Sequence, residues 1–202
     1  MTARRSPADM RAQAAAERVC QALHDASDAA AAAAAVRKLR AIPESWRYIR
    51  WGRVLWGAAE LGDAEVFAAA VAVAKEAEPS GVAPALAEQL SSLDTAAPAV
   101  ARVIVRELLA TGDAVDWTLA LTSPLTARTW ARTPANPVAA MLVLGELIAS
   151  GRHDLVVDWA AVLDAALAAG AEDVTAAVLR EAAAEDVRGG TVDWTAALVH
   201  AL

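Results

Sequence analysis

Three times this chain writes Val-Asp-Trp followed by a small residue: Val115-Asp116-Trp117-Thr118, Val157-Asp158-Trp159-Ala160 and Val192-Asp193-Trp194-Thr195. Each copy follows a glycine by a few residues (Gly112, Gly151, Gly190), and each leads into an apolar helical run. A recurring helix, glycine, Asp-Trp helix unit is the mark of stacked hairpins, because a lone hairpin cannot bury its apolar face and must stack on the next. The tryptophans are 42 and then 35 residues apart, which gives each unit room for two helices and their turns. The expected architecture is all-α, with stacked antiparallel helical hairpins forming a solenoid or an irregular bundle of about ten or eleven helices.

Composition agrees. Apolar types make up 57% of the 202 residues, and alanine supplies about half of that share. Leu and Val are the main large core formers, beside seven Trp and a single Phe and Tyr. Ala, Leu, Glu and Arg dominate, all strong helix formers, and a chain this long can bury a real core. One cysteine, Cys20, cannot close an internal disulfide, so a reducing cytoplasm is the expected setting. Arg4 and Arg5 are not followed by a Leu-rich core before Asp9, so no signal peptide is expected. The apolar runs 29–36 and 138–149 fall short of the ~20 residues a span needs, so the chain is expected to be soluble and without a membrane partner.

The net charge of −7 is unevenly placed. Residues 1–53 hold ten basic against five acidic side chains, and the remainder holds eight against twenty. Either the basic region docks on the acidic body or it meets an acidic partner. Docking is favoured, since an internal partner is always present. The corresponding division is a basic, alanine-rich helical pair over 1–42 and a helical-repeat body over 43–202.

Ser6-Pro7-Ala8-Asp9 reads as an N-cap, a proline at the first helical position and an acid in the first turn, starting a helix that runs to about Asp25. Ser27-Asp28 opens a second over Ala29–Ile42, and Ser45 can cap a third to about Leu61. On that third helix Tyr48, Ile49, Trp51, Val54, Leu55, Trp56, Ala58 and Ala59 cover more than half the circumference, which implies packing on more than one side. Arg50, Arg53, Gly57 and Glu60 share the remaining strip with Trp46. Further helices are expected over 64–78, 84–93, 95–112, 113–121, 137–150, 154–169, 172–187 and 192–202, with 79–84 and 123–137 irregular. Asn136-Pro137 is a strong start and Gly151 a strong stop. Paired, these helices make hairpins at 45–78, 95–122, 137–169 and 172–202.

The first hairpin adds a resemblance. Trp51, Val54, Gly62-Asp63, Ala74 and Pro79 fall where the tetratricopeptide repeat places its Trp, Leu, inter-helix Gly-Asp, Ala and terminal Pro. Leu55 departs from that pattern's first-helix glycine and Phe67 from its second-helix alanine. The similarity covers about thirty residues and, with the HEAT-like spacing of the Asp-Trp copies, implies an antiparallel pair within a protein-binding stack. It carries no catalytic residue.

Three constellations could carry chemistry. The Asp-Trp dyads read first as scaffolding, an acid at a helix N-terminus and a tryptophan at a repeated core position, and second as stacking surfaces along a groove. The basic stretch Arg37, Lys38, Arg40, Arg47, Arg50, Arg53 is interleaved with Trp46 and Trp51. There Trp46 and Arg50 are spaced to stack as an i,i+4 cation–π pair. The Pro/Thr-rich segment with Arg128, Trp130 and Arg132 offers tryptophan flanked by arginine, the residue types of interface anchors. The partner-interface candidates are therefore Trp46, Arg47, Arg50, Arg53, Arg128, Trp130 and Arg132.

No catalytic residue, cofactor or metal site is expected. His24, His153 and His200 are scattered, and no His-Glu-x-x-His, Cys-x-x-Cys, Gly-rich phosphate loop or Gly-x-Ser-x-Gly motif is present. The leading expectation is a non-enzymatic helical scaffold that binds another protein or self-assembles. A HEAT-like alkyl-purine DNA glycosylase, gripping a base with Trp and Asp, is one alternative. It is disfavoured by a pI near 5.0. A small-molecule domain with a Trp-lined pocket is another.

Overall fold

A computed structural model describes residues 6–90, 97–111, 115–126, 135–152 and 154–187. Among them the protein is all-α: ten α-helices and two short 3-10 segments, with no strand. Two compact units divide the chain, Met1–Gln89 and Leu90–Leu202, so the boundary expected after residue 42 falls inside the first.

Unit one opens with α1, Pro7–His24, where the expected N-cap and first-turn acid close into a reciprocal capping box. The backbone N–H of Asp9 donates to Ser6 Oγ at 3.1 Å, and the Ser6 N–H donates to the Asp9 carboxylate at 3.4 Å. Helix α2, Ala29–Arg40, starts at Asp28, which accepts from the Ala31 N–H. It buries Ala32, Ala35, Val36 and Leu39, a stripe at i, i+3, i+4 and i+7 whose small members let a neighbour approach closely. That neighbour is α1 on one side and α4 on the other.

The continuous helix expected from Ser45 to Leu61 does not form. Pro43–Tyr48 is a 3-10 segment, Ile49 and Arg50 are extended, and α3 runs only from Trp51 to Glu60. Side-chain burial explains the break. The Trp46 indole N–H donates to the Leu39 carbonyl at 2.8 Å, which pulls this segment onto α2. Ile49 is buried at 7% exposure, and the Trp46 and Trp51 rings meet edge to face with centroids 6.3 Å apart. One uninterrupted helix would scatter these groups. Ser45, expected as an N-cap, is fully buried, and its hydroxyl finds no partner among the described residues.

Helix α4, Ala64–Ala77, follows at once. Gly62 turns with φ +70°, a conformation costly for other residues, and Asp63 caps by accepting from the N–H groups of Glu65 and Val66. Its buried arc of Val66, Phe67, Ala70, Val71, Val73 and Ala74 packs on α2 and α3. Residues 79–84, expected as a loop, belong to helix α5, Pro79–Leu90, with Pro84 inside it. The stripe Val82, Leu86 and Leu90, each at most 1% exposed, shows why: it repeats every four residues and offsets the ~3 kcal/mol a mid-helix proline costs.

Unit two contains α6 (Pro98–Thr111), α7 (Trp117–Thr122) with a 3-10 turn over Ser123–Leu125, α8 (Pro137–Ser150), α9 (Trp159–Ala168) and α10 (Glu172–Val187). Helix α6 packs on α8, α7 on α8 and α9, and α10 on α8 and α9. The Asn136 side chain caps α8 by accepting from the Ala139 N–H, and Gly151 ends it with φ +63°, both as the sequence implied. Helices α7 and α9 start later than expected, at the tryptophans themselves, because the preceding aspartates stand at the cap rather than in the first turn. The third Asp-Trp copy and the helix expected over 192–202 lie outside the described residues, as do Arg128, Trp130 and Arg132.

No helix among the described residues is long and apolar enough to cross a membrane.

Candidate functional site

The two described Asp-Trp copies are joined to each other. Asp116 accepts from the Leu119 N–H at 2.8 Å and Asp158 from the Ala161 N–H at 3.0 Å, so both carboxylates are engaged as caps. In addition, the Asp158 backbone N–H donates to Thr118 Oγ1 at 2.8 Å. The residue after the first tryptophan thus fastens the start of the second copy. Trp117 is core, 3% exposed. Trp159 is only half-buried and lines a shallow depression of about 230 Å³ with Leu147, Ile148, Leu155 and Val157. One oxygen of each carboxylate is engaged by its helix start, which fits the scaffolding reading of these dyads.

The basic stretch resolves into separate fates. Arg40 pairs with Glu76, and Arg47 pairs with Asp9 while its guanidinium lies 4.9 Å above the Tyr48 ring. The Tyr48 hydroxyl donates to the same Asp9 carboxylate at 2.9 Å. The Asp9 carboxyl is held below its ordinary value, first by the Ser6 hydrogen bond, then by Tyr48, with Arg47 adding attraction. These basic groups are therefore matched within unit one itself, where residues 1–89 carry eleven basic and eleven acidic side chains. The cation–π pair expected between Trp46 and Arg50 is absent, because the extended Ile49-Arg50 step breaks the helix that would align them. Trp46 is an internal fastener, tied by its indole nitrogen.

Arg50 and Arg53 have a different surrounding. Helices α1 and α3 enclose an open cleft of about 520 Å³. Its floor is built by Ala16, Leu23, Val54 and Gly57. Arg50, Arg53 and Trp56 stand along the α3 side, all exposed, with Trp56 at 49%. Glu17 stands on the α1 side, where it accepts from the Gln13 amide at 2.8 Å. Among the described residues neither Arg50 nor Arg53 forms an ion pair. Cys20 sits between the walls, half-buried. Burial pushes its thiol up, the Arg53 charge opposes that shift, and Glu17 reinforces it.

The sequence reading found Arg50 and Arg53 but not Trp56, which it placed in the apolar arc of α3. The signal was available. Once α3 starts at Trp51, Arg53, Trp56 and Glu60 fall at i, i+3 and i+7 and share one exposed face.

Among the described residues no group of three His, Cys, Asp or Glu side chains is placed to hold a metal ion. Comparison with protein-family models, curated proteins and solved structures finds no match for this chain.

Proposed function

We propose that this all-α chain is a binding module without catalytic chemistry of its own, and that it engages another protein through the α1–α3 cleft. The observation that carries the reading is Trp56, half-exposed on the lip of an open cleft beside two arginines with no described ion pair. Trp and Arg are the residue types that dominate binding energy at interfaces, and a large aromatic left in water has a cost that a partner's surface removes. The helical pair α3–α4, turning at Gly62, supports the tetratricopeptide-like expectation of a protein-binding scaffold. A single thiol suits a reducing, cytoplasmic setting. Nucleic acid has less support, since unit one is charge-neutral and residues 90–202 carry seven basic against fourteen acidic side chains.

The test compares the whole chain with Trp56→Ala as bait in lysate of its own cells, alongside sedimentation of the purified protein. The expected result is a stoichiometric protein partner whose recovery depends on Trp56. A strict monomer that recovers no Trp56-dependent partner overturns the reading.

A further inference from the structure

We infer that the occupant of the α1–α3 cleft is a short acidic amphipathic helix of the partner protein, an inference that rests on the reading of the cleft as a protein-binding surface. Three observations point the same way. The first is backbone accounting. Both walls are helices whose own N–H and C=O groups are engaged internally, so the cleft offers no free strand edge to an extended peptide. An extended segment laid over Ala16, Leu23, Val54 and Gly57 would bury unpaired amides, whereas a helix brings its backbone already satisfied.

The second is shape. The α1 wall from Gln13 to His24 is about 16 Å long at 1.5 Å per residue, or roughly three helical turns. Helices α1 and α3 pack on each other, and the small side chains Ala16 and Cys20 with the bare Gly57 backbone leave a groove over their seam on which a third helix can lie. A Cβ at Gly57 would meet nothing within 4 Å, so this part of the floor is open to an incoming side chain.

The third is charge. The α3 side presents Arg50 and Arg53 to solvent, and the only acid among the lining residues, Glu17, lies on the α1 side and is hydrogen-bonded to Gln13. A ligand helix therefore carries Asp or Glu on the edge that faces α3 and apolar residues at i, i+3 or i+4, and i+7 toward the exposed Trp56 ring, since Ala16, Leu23 and Val54 are at most 3% exposed. Trp56 closes over its apolar face. His24, Gln13 and Gln21 line the cleft as well, and they suit a polar flank on the α1 side.

The experiment is a selection of random peptides of about fifteen residues displayed against the full chain, with the Arg50→Glu/Arg53→Glu chain as counter-target. Both arginines are exposed, so the variant keeps its fold, which an unchanged melting curve verifies. The expected winners are acidic, carry apolar residues at helical spacing and gain helical circular dichroism on binding. They bind the charge-reversed chain about tenfold or more weakly. They also slow alkylation of Cys20, the chain's one cysteine. Basic winners, or winners indifferent to the charge reversal, overturn the inference. Winners that require Trp56 but bind without helical periodicity overturn the helix while leaving the protein-binding reading in place. A selection that yields nothing dependent on Trp56 or the arginines removes both.

Discussion

Trp46 and Trp56 lie ten residues apart in one unit and do opposite things. Trp46 spends its indole N–H on the Leu39 carbonyl and its ring edge on Trp51. Trp56 leaves half its surface to solvent beside two arginines. The same division separates the Asp-Trp copies, where Trp117 is core and Trp159 lines a depression. A tryptophan's meaning in this chain is set by what holds its ring, and neither the neighbouring arginine nor the repeat in which it stands decides that.

The contrast can be tested from its strongest member downward. Trp117→Ala removes a 3%-exposed ring and is expected to destabilise unit two by about 3–5 kcal/mol, measured by urea unfolding. A loss below that of Trp159→Ala would break the distinction between the copies. Trp46→Phe keeps an aromatic ring but removes the indole donor, leaving the Leu39 carbonyl to backbone N–H groups, so a loss of about 0.5–1.5 kcal/mol is expected in the same assay. A neutral result would mean that the indole bond does not hold the 3-10 segment down.

Acidification probes the other tie on that segment. The Asp9 carboxyl titrates below its ordinary 3.8, so its contribution to stability is present above that value and is lost as pH falls through the lowered one. The melting temperature of Asp9→Asn is therefore expected to fall less steeply than wild type below pH 3.8. Parallel curves would show that Tyr48 and Ser6 do not depend on the charge. Last, Trp56→Ala is expected to cost about 1 kcal/mol, well under Trp117→Ala, because half of its surface is already in water. A loss matching that of Trp117→Ala would place Trp56 among the fastened tryptophans and withdraw it from the cleft's binding surface.

Much of the fold was legible because it is written locally. The capping box at Ser6-Pro7-Ala8-Asp9, the Asn136 cap and the Gly151 stop each depend on residues within one turn, and each stands where the sequence put it. The break at Ile49-Arg50 was not legible, since it comes from Trp46 reaching back to Leu39 and Ile49 turning inward, contacts that no helical wheel contains. Helix α5 was hidden by Pro79 and Pro84, which read as loop until the burial of Val82, Leu86 and Leu90 is known. The cleft was half legible. Arg50 and Arg53 were singled out, but its other wall is α1, and only tertiary packing brings Cys20 and Glu17 opposite them.

The bond from the Asp158 N–H to Thr118 Oγ1 gives the repeat a direction. The first copy's hydroxyl oxygen accepts and the second copy's N–H donates, and Ala160, at the matching place, has no side-chain oxygen to accept in turn. A copy of the Val-Asp-Trp-Ala form can thus be fastened through its aspartate N–H but cannot fasten another through this side chain.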